Sequence, residues 1–579
     1  MLPPLPQDIH TFMGWSWPQI EPYYAELAAR PLTAEDVAAW LADWSGLDER
    51  VYEMYQRLYV ATTINTVNED AQRRYARYLD EIYPAAEAAR QKLKEKLLAS
   101  GLEPAGFEIP LRNMRAEAAL FRAANLPLLA EDLKLINAHE ARIGAQTVMW
   151  AGEEKTIPQI TPLYQDRDRA KREQAWRLAH ERQLADRAAL NELWQKFLRL
   201  RLQIAANADQ PDYRAYKWRQ LLRFDYTPED CEQFHAAIEQ AVAPAVERLF
   251  ARRRQQLGVE ALRPWDLGDG WYQRPINPLA HAPLRPFSQA AELQRTTAAI
   301  FHRVDPQLGH YFDTMQSESL LDLDNRKNKA PGGYCTHFDY SRRPFILMNA
   351  VGLHDDVQTL LHEGGHAFHA FEASALPYIH QTQYGMEIAE VASMAMELLA
   401  APYLAKDQGG FYSATDAARA RREHLEGMLC FWPFMACVDA FQHWVYTHPN
   451  DALDPALCDA QWAMLWQRFL RGVDWGGLDT EMATGWQRKI HIFQVPFYYV
   501  EYGLAQLGAT QVWANALQDQ AGAVTHYRRA LALGGTRPLP ELYAAAGAKF
   551  AFDADTLRSA VSLIEETLES LEQQVISHQ

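Results

Sequence analysis

His362 and His366 stand four residues apart in the stretch TLLHEGGHAFH, and Glu363 directly follows the first of them. On a helix a four-residue step returns to the same face one turn along, so the two imidazoles are placed to share one divalent cation. Neutral imidazole is a good zinc donor, with bonds of about 2.0–2.1 Å. Glu363 would lie beside the ion without being an obvious ligand, where a carboxylate can take a proton from a metal-activated water. With 19 histidines and 74 acidic residues in 579, composition alone supplies at most roughly 0.08 such matches per chain. The motif therefore narrows the chemistry without identifying it, and the bland alternative is a surface helix that carries two histidines.

Catalytic zinc usually takes three protein donors and leaves one position open. The extended pattern HExxHxxGxxH fails here, because position 369 is His and position 372 is Glu. A better source is the downstream segment MEIAEVASMAMELL, where Glu387, Glu390 and Glu397 stand among apolar and small residues. Glu390 and Glu397 are seven apart and share a helical face, and a carboxylate on an apolar face is costly unless paired. Both are explained if Glu390 binds the ion and Glu397 accepts a proton from a ligand imidazole. An ordinary solvated residue is the competing reading for Glu397. His369, three residues after His366, has two readings, support for a ligand or packing in the core; packing is the simpler.

The elements that must position these groups are mostly helical. HDDVQTLL leads into the motif, and Asp355 or Asp356 can cap the helix start. Gly364 and Gly365 cost about 1 kcal/mol each relative to Ala inside a helix, which predicts a close approach to the backbone by a substrate strand or a neighbouring helix. Periodic apolar residues predict helix over 34–100, ended by Ser100-Gly101 and Pro104, then over 115–142 and 166–208. In the last of these, Trp176, Leu178, Leu184, Leu190, Leu193, Trp194, Phe197 and Leu198 are the expected core positions. The stretch 257–286 is rich in Pro and Gly and reads as a connection. Two short runs, Tyr334–Phe338 and Pro344–Met348, read as an antiparallel ribbon beside the motif helix.

The bulk numbers set limits. A chain of 579 residues has room for two or more lobes. Its charge of −17 argues against holding nucleic acid, whose phosphates need a basic groove. Five cysteines at scattered spacings, with no CxxC, signal neither a disulfide framework nor a cysteine zinc site. A reducing, cytoplasmic setting is expected. The opening MLPPLPQDIHTFMGWSW has no basic start followed by an apolar run, and no stretch reaches the ~18 apolar residues of a membrane helix.

Taken in order, TLLHEGGHAFH, AEVASMAME and KIHIFQVPFYYVEYG, together with APGGYCT, RPFILMN and RLQIAANADQPDYRAYKWRQLLRFDYTPED upstream, resemble the thimet oligopeptidase and oligoendopeptidase F family of zinc peptidases. The likeness spans roughly 170–510. It implies a mainly α, two-lobed helical metallopeptidase enclosing a substrate channel, with the small β ribbon beside the HExxH helix. It also implies one Zn2+ per chain held by His362, His366 and Glu390, with Glu363 as general base. His491 matches a histidine that contacts substrate, and Tyr498 and Tyr502 match active-site tyrosines. The spacing from His491 to the Pro-Phe-Tyr at 496–498 is one residue longer than the oligoendopeptidase F pattern, so the choice among Tyr498, Tyr499 and Tyr502 stays open. A phenol or imidazole N–H in that position can share the charge of an oxyanion.

The expectation is thus a zinc-dependent endopeptidase acting on short unfolded peptides, with residues 1–165 as an N-terminal helical lobe and 166–579 as the catalytic region. Substrate pairing along 333–338 by edge addition is a further expectation. The rival readings are a dipeptidyl carboxypeptidase of the same family and a catalytically inactive peptide-binding protein. No membrane or nucleic-acid partner is expected.

Overall fold

The computed structural model describes residues 2–268, 283–330 and 332–577. The chain is mainly α, as expected, and the described residues form two small sheets. The predicted connection at 257–286 falls in part on 269–282, outside the described residues, as does Pro331 of APGGYCT. Among the described residues no helix is long and apolar enough to cross a membrane.

Two compact units emerge. One takes the described residues of 1–119, 283–417 and 508–550, the other those of 120–282, 418–507 and 551–579. This is a different cut from the consecutive one at 165/166, because each core gathers three separate stretches of chain rather than one.

In the first unit the expected helical run at 34–100 is broken. Helices Val37–Ile64 and Tyr83–Ser100 flank a shorter one, Glu69–Arg77, which continues through a wide turn at Tyr78–Ile82. The break follows from local chemistry: the Asn68 side chain accepts from the backbone N–H of Asp70 and Ala71 and starts a new helix. The run ends at Gly101, whose φ of +67° is the left-handed cap that glycine tolerates. Trp40, Trp44, Leu47 and Val51 of the first helix pack with Leu93 and Leu97 of the last.

The ribbon is present and larger than expected. Strands β1 (Thr147–Trp150) and β2 (Glu153–Thr156) form a separate hairpin in the second unit. In the first unit β3 (Leu321–Asp324), β4 (Tyr334–Phe338) and β5 (Arg343–Ala350) form one sheet in the order β3-β5-β4. The pairing of β4 with β5 is antiparallel, Tyr334 opposite Leu347 and Phe338 opposite Arg343. The unexpected strand β3 runs parallel to β5. Central β5 carries a continuous buried run, Pro344–Met348, as a strand covered on both faces must. The motif helix, His354–Ala373, follows at once. Asp356 accepts from the N–H groups of Val351 and Leu353 at 2.9 and 2.8 Å, fixing the turn from sheet into helix.

The second unit contains helices Arg169–Ala185 and Arg187–Asn207 where one helix over 166–208 was expected. The interruption is at Asp186, whose carboxylate accepts from Arg142, Gln146 and Arg182. Trp176, Leu190, Trp194, Phe197 and Leu198 are buried, while Leu178, Leu184 and Leu193 are half-buried. Trp194 meets Trp486 edge-on at 5.1 Å, and Trp486 stacks on Phe493. This aromatic packing anchors the short helix Ile490–Gln494 that carries His491.

Candidate metal centre

The motif helix brings His362 and His366 together on one face, with ring centroids 5.0 Å apart and planes at 83°. A second helix of the same unit, Met386–Ala400, delivers Glu390 between them. Glu390 Oε2 lies 3.4 Å from His362 Nε2 and 3.8 Å from His366 Nε2. Three donors bound to one ion at about 2.0–2.2 Å in a tetrahedral site stand about 3.3 Å apart, so this spacing suits a shared cation. Both imidazoles keep part of their surface open to solvent, while Glu390 is buried.

The approach of the two helices rests on Gly365. A Cβ there would lie 2.4 Å from the carbonyl oxygen of Ala392 and 2.6 Å from Cα of Ser393. No side chain fits, and the helices meet backbone to backbone. At Gly364 a Cβ would strike the buried ring of Phe301 at 2.5 Å. Both glycines thus serve packing against neighbouring elements. Tyr527 donates to Ala392 O at 2.8 Å, satisfying a carbonyl at the contact. Ser393 Oγ donates to Glu390 Oε2 at 3.1 Å and steadies the carboxylate.

Glu397 lies one side further out. His362 Nδ1 is 2.7 Å from Glu397 Oε1. A proton on Nδ1 donated to that carboxylate leaves Nε2 free to bind metal. Burial opposes charge on His362, but its hydrogen bonds to Glu390 and Glu397 outweigh this and push its pKa well up. Burial also resists charge on Glu390, yet the facing imidazoles hold its carboxyl below the usual range. Burial holds His366 down to about 4, so it is a neutral donor at pH 7. Two carboxylates facing one imidazole favour positive charge at this point.

Glu363 is buried on the same helix, and burial raises its pKa to about 7, with His362 pulling it down and Glu390 pushing it up. The backbone N–H of Cys335 on β4 donates to its carboxylate. His369 is a fully buried histidine stacked on Tyr384 at 3.5 Å and 9°, with neither ring nitrogen hydrogen-bonded. Glu372, where the extended motif would have a ligand, is committed to Arg528 at 2.7 Å.

His491, Tyr498 and Tyr502 belong to the second unit and cluster there. Ring centroids are 6.3 Å apart for His491–Tyr498, 6.1 Å for His491–Tyr502 and 5.2 Å for Tyr498–Tyr502. Tyr499 is fully buried, and Lys489 Nζ donates to its hydroxyl at 2.7 Å, whereas Tyr498 and Tyr502 are half-buried. Burial, with Lys489 nearby, lowers His491 to about 3, so it is a neutral imidazole. Phe497, just before Tyr498, has φ of +66°. Arg223 donates to its carbonyl and to Glu501, holding a backbone conformation that a non-glycine residue rarely adopts. Sequence reading did not single out Ser393, Tyr527 or Arg223. Ser393 stood three residues after Glu390 in a run of small residues, and Arg223 ended the block YKWRQLLR.

Family models cover most of the chain. Residues 163–562 match the model of peptidase family M3, and residues 13–106 match the peptidase M3 N-terminal domain. The chain is similar to oligopeptidase PepF of Bacillus subtilis, 24% identical over 272 residues, covering 46% of this chain and 39% of that protein. It is similar to chromosomal oligoendopeptidase F of Lactococcus lactis, 25% identical over 272 residues, 45% of this chain and 42% of that one. The matched stretch therefore spans about two fifths of these curated relatives. A solved structure of PZ peptidase A with an inhibitor superposes with a TM-score of 0.84 at 26% identity, covering 99% of both chains.

Two outcomes follow from the packing. Gly365→Ala must push a backbone, so it is expected to lower stability by about 1–3 kcal/mol and to weaken metal binding more than Gly364→Ala, which displaces a side chain. Thermal melts with and without metal, and a metal titration, check this. Glu397→Ala is expected to weaken metal binding about 10–100-fold while leaving the fold intact, read by competition with a chelator.

Proposed function

The chain belongs to peptidase family M3, and from that premise we propose that it is a zinc-dependent endopeptidase hydrolysing short unfolded peptides. The observation that carries the reading is the convergence of His362, His366 and Glu390, whose donor atoms all lie within 4.8 Å of one another. These three would hold the ion. A bound divalent ion supplies Lewis acidity, polarising the scissile carbonyl and acidifying solvent beside it. Zinc is the ion that two imidazoles and one carboxylate suit best.

Glu363 takes the proton of the attacking water on its carboxylate and delivers it to the leaving amine nitrogen. Its raised pKa suits both halves of that task, since a base near neutrality can also give the proton back. The Cys335 N–H holds the carboxylate in one orientation. To the same reaction we assign His491, Tyr498 and Tyr502 as donors to the developing oxyanion. The assignment is supported by the neutral state of His491 and by the partial exposure of the two phenols. Tyr499 is better read as a support, because its hydroxyl is engaged by Lys489 inside the core. Strand β4 lies at the edge of its sheet, so its outer side can take an extended peptide as an added strand.

The test is hydrolysis of an internally quenched peptide blocked at both ends, which an endopeptidase cleaves and a dipeptidyl carboxypeptidase does not. Glu363→Gln is expected to lower kcat by about 10²–10⁴-fold with metal content unchanged. Chelation is expected to abolish cleavage and added zinc to restore it. Cleavage that survives either treatment would rule the mechanism out.

A further inference from the structure

The second unit contains another cluster of metal-binding side chains, remote in sequence from the HExxH motif. Cys231 and His235 stand one turn apart on helix Pro228–Ala241, and Asp439 and His443 one turn apart on helix Ala414–Thr447. All four are buried. A sulfur of Cys231, a carboxylate oxygen of Asp439 and a ring nitrogen of His443 lie within 4.8 Å of one another, as the donors of the motif site do. His443 Nε2 is 3.3 Å from Asp439 Oδ2, tighter than either Glu390 contact in the motif site.

Hydrogen bonding accounts for only part of this arrangement. His235 Nε2 donates to Asp439 Oδ2 at 2.8 Å. Asp439 Oδ1 has no hydrogen-bond partner although it is buried, and His443 Nε2 faces Asp439 Oδ2 at 3.3 Å. The walls are aromatic: Phe497 and Trp218 lie beside His443, and Phe469 beside His235. A buried carboxylate oxygen left unmet in such surroundings is expensive, and the Asp439 carboxylate and the His443 ring stand within 4.8 Å of a thiol.

We propose that Cys231, Asp439 and His443 form a second metal site, taking a borderline divalent ion such as Zn2+ or Co2+ as a structural clamp between the two helices. Mixed sulfur, nitrogen and oxygen donors select this class of ion over Mg2+ or Ca2+. His235 orients Asp439 from the side through its hydrogen bond, as carboxylate-histidine pairs do around metals. Binding releases the thiol proton to solvent, while the imidazole stays neutral by giving up its proton at Nε2 and taking one at Nδ1. Arg214 Nη1 donates to His443 Nδ1 at 3.2 Å. Metal at Nε2 turns Nδ1 into a donor, so Arg214 transfers its contact to Glu232, whose carboxylate is 3.6 Å away. A third cluster, His302, His310 and Asp313, is mostly exposed, and solvent can satisfy it.

Titration of the full metal-stripped chain with Co2+ tests the site. Wild type is expected to bind two equivalents. His366→Ala is expected to keep one, with the near-ultraviolet thiolate-to-cobalt charge-transfer band. Cys231→Ser, which preserves volume, is expected to lose that band and to bind the second equivalent at least 10-fold more weakly. The wild-type and His366→Ala measurements leave the cluster untouched, so they stand even if a cluster variant misfolds. A single equivalent in wild type, lost entirely in His366→Ala, would overturn the proposal. So would a thiolate band that survives in Cys231→Ser.

Discussion

The centre depends on one contact, the backbone-to-backbone meeting of two helices at Gly365. Glu390 must be carried into the space beside two imidazoles, and a carboxylate will stay in a buried position only when something positive meets it there. The helix Met386–Ala400 can come close enough because no side chain stands between Gly365 and Ala392. The glycine lowers helix propensity by about 1 kcal/mol, and the return is a donor set whose spacing matches one small ion. Position and charge are thus coupled: the packing sets the distance, and the facing carboxylates favour positive charge beside them.

Around that contact, each candidate group is held by a hydrogen-bonding neighbour. Glu397 fixes the tautomer of His362, Ser393 steadies Glu390, Tyr527 satisfies the carbonyl exposed at the crossing, and the β4 backbone holds Glu363. The second unit uses the same logic at Phe497, where Arg223 secures a strained backbone turn directly before Tyr498. Precision here comes from packing and hydrogen bonds on rigid elements, which limits how far a donor can drift from its working geometry.

The imidazole pair, Glu390 and the supporting Glu397 were legible because helical periodicity converts spacing directly into a shared face. The two glycines were legible as an anomaly, since their propensity penalty required a compensating close approach. The ribbon was readable from two short β-like runs between turn residues, Tyr334–Phe338 and Pro344–Met348, but its third strand was not. Leu321–Asp324 is four residues long, and its parallel partner is contributed by tertiary packing rather than by a local turn. The break at Asp186 was hidden for a related reason: helix propensity continues through it, and the interruption is made by hydrogen bonds to Arg142 and Gln146, which lie some forty residues upstream. Ser393 and Arg223 gave only weak local signals because their partners are defined by the folded chain.

The most direct measurement of the central claim is anomalous diffraction at the zinc edge from crystals of the full chain grown with zinc. The account predicts a peak equidistant, at about 2.0–2.2 Å, from Nε2 of His362, Nε2 of His366 and an oxygen of Glu390, with Glu397 still bonded to Nδ1 of His362. A peak bound by the imidazoles while Glu390 points elsewhere, or no peak between them at all, would contradict it.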